Sequence, residues 1–289
     1  MNHYPYRLLV TVLIAVALLL SCKKQSLIAG RASVPIQVDG LTEDWQSVSP
    51  LESEKYHFRL AAQHDDQTLY FLLSSEDPTA QRQLINSGLI LWFDQDGDGR
   101  KDFGIKYPRG IFERGINPME IFMTLFKRDG SWNEKGFADY VRKWCSDIQL
   151  LDAKGNNLGI LSHYEAEECG IRFQMAMHNN LLAYELAVQL QGTKKVKWDL
   201  SNKTGFRVGF ETPSFDFSAM RRPMGGFAPG GADAGGGGGM PMGGGRGMGR
   251  GPGGGGEMPM PTGDFGGPPM GGMPMAEPIN WQMSVILAQ

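Results

Sequence analysis

Between Met224 and Met275 the chain is almost entirely glycine, methionine and proline, yet a strand pattern returns beyond it. Ile279, Trp281, Met283 and Val285 alternate with Asn280, Gln282 and Ser284, the period-two signature of a strand with one buried face. A lone strand cannot bury that face, so this last segment must return to neighbours far upstream. The tract itself has almost no β-branched side chains and cannot bury enough apolar surface to offset its ordering entropy. Residues 224–275 are therefore expected to form a disordered loop rather than a tail, and loop-closure entropy grows slowly enough with length to allow it. Of the 40 glycines, more than half lie after Met224. With the tract and the N-terminal leader set aside, about 200 residues remain, enough for one sizeable β domain over 33–223 and 276–289.

Within that domain, turn signals recur every ten residues or so. Val34, Ile36 and Val38 alternate and predict a first strand, closed by Asp39-Gly40. Glu43 to Trp45 predict a short helical turn with Trp45 as a core plug. Tyr56–Leu60 and Thr68–Leu73 predict a hairpin across His64-Asp65-Asp66-Gln67. Pro78–Asn86 predict one short helix, and Leu89–Phe93 and Phe103–Tyr107 the next two strands. A second helix is predicted after Pro118, with Met119, Ile121, Phe122 and Leu125 on its apolar side. Ser146–Leu151, the hairpin Ile171–Met177 and Leu182–Leu190, and Thr204–Glu211 complete the strands. So many short strands and so little helix predict an all-β antiparallel sandwich.

At the N-terminus, an apolar run of about thirteen residues, Leu8–Leu20, precedes Ser21-Cys22-Lys23-Lys24. That length is short for a membrane span and ordinary for a signal-peptide core. Leu19-Leu20-Ser21-Cys22 resembles the bacterial lipobox. The resemblance implies that residues 1–21 are removed and that Cys22 carries lipid, with 22–32 a polar spacer. Acyl chains would tether the protein without a spanning helix. Lys23, in place of the aspartate that retains such proteins at the inner membrane, points to an outer-membrane tether. The two remaining cysteines, Cys145 and Cys169, could pair in an oxidising compartment. A net charge of -3 gives no basic footprint for nucleic acid.

VPIQVDGLTEDW, HDDQTLYFLLSSED and LILWFDQDGDGRKDFGIKYP together resemble the sugar-binding modules of family 9 and their wider DOMON-like relatives. The resemblance covers about Val34 to Glu211 plus the terminal strand. It implies a jelly-roll-like sandwich that often contains calcium and has a binding face on one sheet. Family 9 modules grip sugar ends between two tryptophans, but Trp132, Trp144 and Trp198 stand in no recognisable motif. Other relatives hold haem through Met and His; His64, Met175, Met177 and His178 are present without a ligand motif.

Two constellations could hold a metal. Asp94, Asp96 and Asp98 alternate, followed by Gly99 and Asp102, a spacing that can present hard oxygens to Ca2+. Ile105 stands where an EF-hand needs its bidentate glutamate, so the EF-hand itself is excluded. Met-Pro-Met occurs three times, at Met240 and Met242, Met258 and Met260, and Met273 and Met275, and clustered thioethers suit Cu(I). There is no G-x-S-x-G, H-E-x-x-H or Walker loop, and Glu165, Glu167 and Glu168 read as a solvated charge run. The chain therefore reads as a non-catalytic, lipid-anchored envelope protein whose sandwich binds a glycan or related extracellular ligand. Two alternatives stand beside it: a structural or partner-binding lipoprotein stabilised by calcium, and a copper-handling protein acting through the Met-rich loop.

Overall fold

The computed structural model describes residues 25–127, 129–201, 205–213 and 277–288. The lipobox with Cys22 and the Met-Pro-Met tract lie outside them. Among the described residues are twelve strands: β1 (Ser26–Arg31), β2 (Leu51–Ser53), β3 (Phe58–His64), β4 (Thr68–Ser75), β5 (Gly88–Asp94), β6 (Phe103–Arg109), β7 (Asp147–Asp152), β8 (Asn157–Ser162), β9 (Ile171–His178), β10 (Leu181–Gln189), β11 (Phe206–Glu211) and β12 (Asn280–Leu287). Four α-helices and a short 3₁₀ helix (Glu43–Trp45) accompany them among the described residues: α1 (Pro78–Ser87), α2 (Pro118–Leu125), α3 (Glu134–Trp144) and α4 (His163–Glu168).

The strands run β8-β7-β6-β5-β11-β12-β1-β3-β4-β10-β9, with β2 added on β3. The sheet curls into two layers that meet at β1. One half of β1 pairs with β12 (Ser26 opposite Ser284), and the other half pairs with β3 (Arg31 opposite His64). The inner faces of the two layers share one core. Phe71 of β4 meets Phe93 of β5 and Phe210 of β11 edge-on, each at 6.3 Å between ring centroids. Tyr107 of β6 lies 4.5 Å from Phe173 of β9.

The β-sandwich is therefore present, but its pairing is mixed rather than wholly antiparallel. Both of β1's pairings are parallel. This strand also corrects the expected spacer: residues 26–31, with Leu27 and Ala29 buried, belong to the fold. The pattern was hard to see because only two side chains of the six face inward. Conversely, Val34–Val38 is not a strand. It crosses the outside of the layer formed by β3, β4 and β10, burying Ile36 and Trp45 against Tyr70, Leu72 and Ala183 while Val34 stays exposed.

The terminal strand behaves as its alternation requires. Ile279, Trp281, Met283 and Val285 are all buried, and β12 pairs with both β11 and β1. The helix after Pro118 forms, capped by Asn117, but only Ile121 and Leu125 are buried. Met119 and Phe122 are about half exposed, because so short a helix rests on the core along one i, i+4 stripe. Helices α3 and α4 and strand β8 were not anticipated. The first packs through Phe137, Tyr140 and Val141; the second starts at a Ser162–Glu165 capping box and carries the acidic run. Cys145 and Cys169 are separate buried thiols rather than a disulfide, Cys145 following α3 and Cys169 following α4. Burial pushes the Cys145 thiol up to about 12, so it stays protonated.

Candidate ligand groove

Strand β5 is apolar on both faces. Leu89, Leu91 and Phe93 point into the core, which leaves Ile90, Trp92 and Asp94 on the outer face of the layer. Register then sets the neighbours. Opposite Trp92 stand Gly209 on β11 and Gly104 on β6. Beyond them lie Gln282 on β12 and Leu151 on β7. The next row reads Asn280, Glu211, Ile90, Lys106 and Gln149 across the same five strands.

Two glycines beside a tryptophan make a trough. A Cβ at Gly104 would come within 2.8 Å of Cε3 and Cζ3 of the indole, so the ring lies down over that strand. Glycine here serves close approach rather than a turn. Ile90, Trp92 and Leu151 form a separate apolar cluster on the groove floor. The open cavity above is about 580 Å³ and reaches Asn86, Phe112, Lys154 and Pro213 at its rim.

The rim is polar and charge-paired. Lys106 and Arg109 both bond Glu113, the latter at 3.0 Å. Burial opposes ionisation of Glu113, but the hydrogen bonds and positive charge of these two partners outweigh it and hold its pKa below the usual value. Lys101 is ion-paired with Glu211 and holds its ammonium 4.4 Å from the Trp92 ring centroid. The Trp92 indole Nε1–H is buried and has no acceptor among the described residues. By contrast, Trp45, Trp132, Trp198 and Trp281 donate to Glu185, Gln81, the Gln189 carbonyl and Gln25.

The acidic loop lies at the end of β5, beside this groove. Its carboxylates bond the loop's own backbone. Asp94 accepts from the N–H groups of Asp98 and Gly99, Asp98 from that of Arg100, and Asp102 from that of Gln95. Arg100 pairs with Asp98, and Arg207 lies 4.0 Å from Asp94. Among the described residues no three His, Cys, Asp or Glu side chains are grouped to hold a metal ion, Asp94, Asp96, Asp98 and Asp102 included. The loop does deliver Lys101 onto Trp92. The haem candidates are scattered: Met175 and Met177 are core residues, His64 bonds the Ala288 carbonyl, and His178 stands 3.7 Å from Glu134 at the surface.

Trp92 and Lys101 were missed as site residues. Trp92 is embedded in ILWF, where inward and outward side chains are equally apolar, so periodicity could not assign it to a face. The usable signal was Gly104 in the paired strand, which only register identifies.

No protein-family profile matches the chain, and no curated protein does. Among solved structures, the chain is similar to a family 9 carbohydrate-binding module from Caldicellulosiruptor kristjanssonii in complex with glucose, at 11% identity and a TM-score of 0.31, over 68% of this chain and 81% of that one. A structure of a family 9 module from the same organism with cellotriose gives 13% identity and a TM-score of 0.32, over 68% and 80%. No helix among the described residues is long and apolar enough to cross a membrane.

Proposed function

We propose that this chain is a non-catalytic, lipid-anchored envelope protein that binds a glycan or related polyhydroxylated ligand in the groove over Trp92. One observation carries the reading: a buried indole N–H with no acceptor among the described residues, set in an apolar floor beneath an open cavity of about 580 Å³. An unsatisfied buried donor costs about 1–3 kcal/mol, which an incoming oxygen can recover. Sugars offer that oxygen together with an apolar C–H face, and the rim of Asn86, Gln149 and the Lys106–Glu113 pair supplies donors and acceptors for further hydroxyls.

Glucose and cellotriose, the sugars held by the two solved modules, are practical first probes within a wider glycan array. Trp92→Ala should weaken any glycan bound by the wild type at least ~10-fold, given the weight of aromatic anchors in binding sites. Its circular dichroism should be unchanged, since the ring sits outside the main core. A wild-type protein silent across the array, or a folded Trp92→Ala variant that binds as well, defeats the reading.

The proposed anchor makes a separate prediction. The Gln25 carbonyl accepts from the Ser284 N–H at 3.1 Å, and its side chain accepts from Trp281. Cys22 precedes Gln25 by three residues, so full extension spans only about 11 Å. A lipid on Cys22 would hold the sandwich against the bilayer with almost no stalk. Cys22→Ser is expected to move the protein from the membrane to the soluble fraction and to abolish acyl-chain labelling. Unchanged membrane partition would rule the anchor out.

A further inference from the structure

We infer that Lys101 is a movable cover on Trp92, held in place by Glu211 and displaced by ligand. The inference rests on the groove being the ligand site proposed above. Lys101 Nζ stands 4.4 Å from the indole centroid, where a sugar ring stacking on Trp92 would have to lie. With the ammonium there, Trp92 is only 6% exposed although it floors an open cavity. An ammonium group carries donors and no acceptor, so it cannot satisfy the indole N–H beneath it. A hydroxyl-bearing ligand can do so while its C–H face takes the ammonium's place.

The backbone under Lys101 is fixed, so only its side chain needs to swing. The Asp102 N–H bonds the Phe93 carbonyl at 2.8 Å, and the Asp102 carboxylate takes the Gln95 N–H at 2.7 Å. What restrains the side chain is weak. The Lys101 and Glu211 side chains are 37% and 34% exposed, and ion pairs and cation–π contacts that open to solvent contribute little. The chain thus holds its aromatic floor shut in the free state and yields it to a ligand able to accept from the indole.

The test uses the full chain with two readouts. In NMR hydrogen exchange without ligand, Lys101→Ala should speed exchange of the Trp92 indole proton, leaving the Trp45, Trp132 and Trp198 indole protons at wild-type rates. In calorimetric titration with cellotriose, Lys101→Ala should bind ~5-fold more tightly than wild type, on the scale of a lost competing cation–π contact. Glu211→Gln, which keeps the lysine but frees it, should fall between the two. Wild-type exchange in Lys101→Ala, or cellotriose binding that Lys101→Ala weakens or leaves unchanged, overturns the cover while the groove stands. Absence of cellotriose binding by wild type, Lys101→Ala and Trp92→Ala alike overturns the ligand-displaced cover, while the glycan reading of the groove falls only if the glycan array is silent as well.

Discussion

Ending the chain at Glu277 is expected to abolish cooperative folding. The deleted segment is the seam of the molecule: β12 pairs with β11 on one side and β1 on the other, and β1 in turn joins the second layer through β3. Ile279, Trp281, Met283 and Val285 leave the core with it, all buried to 5% exposure or less. At about 1.5–3 kcal/mol for each buried apolar side chain, the loss is about 6–12 kcal/mol, as large as the whole stability of an ordinary domain. Losses then propagate. Thr212 loses the Ile279 N–H that its hydroxyl accepts, and Phe210 loses the Trp281 ring 6.4 Å away. β1 is left with two residues paired to β3 and nothing on its other edge. The truncated protein should be insoluble or should melt without a sigmoidal transition by circular dichroism. A soluble product melting near the full-length temperature would mean that the seam is elsewhere.

That architecture was legible where burial has one sign per face. Ile279 to Val285, Phe206 to Phe210 and Ile171 to Met177 each show the period-two alternation that one buried face imposes, and each forms the strand expected. Legibility failed for three physical reasons. β1 crosses from one layer to the other, so it is defined by pairing partners rather than by its own pattern. Val34–Val38 alternates like a strand because it crosses the outer face of a layer, which buries Ile36 and half-buries Val38 while Val34 stays exposed. β8 is an edge strand with no buried face, and so carries no pattern at all. The groove was hidden for a related reason. Its floor depends on which residues of β6 and β11 oppose Trp92, and a single sequence does not encode register visibly. The acidic loop, by contrast, was conspicuous in sequence, yet its carboxylates chiefly bond the loop's own backbone.

Raising the pH from 4.5 to 7.5 should loosen the segment that covers the outside of the second layer, through one carboxylate. Glu185 on β10 is 1% exposed and holds that segment down by accepting from the N–H groups of Asp39 and Gly40 and from the Trp45 indole. Gly40 is required at this contact: it has a φ of +83°, and a Cβ there would come within 2.6 Å of Ala176 Cβ. Burial pushes the Glu185 carboxyl up to about 7 against the pull of its three donors, and the neighbouring Asp39 charge adds to the rise. The native protein therefore holds this proton more tightly than the unfolded chain, whose carboxyl keeps its ordinary value near 4.5. Between those values unfolding releases a proton, so the contribution is fully present below about pH 4.5 and is lost as pH rises through 7. The span of the shift sets an upper bound of about 3 kcal/mol at 1.36 kcal/mol per unit. Glu185→Gln cannot titrate, so its melting temperature should lose the wild-type decline across this window. Glu185→Ala instead strands three donors and should cost about 3 kcal/mol or more at any pH, with the Trp45 indole proton exchanging faster. Parallel pH profiles for wild type and Glu185→Gln would show that this carboxylate is not what couples the covering segment to pH.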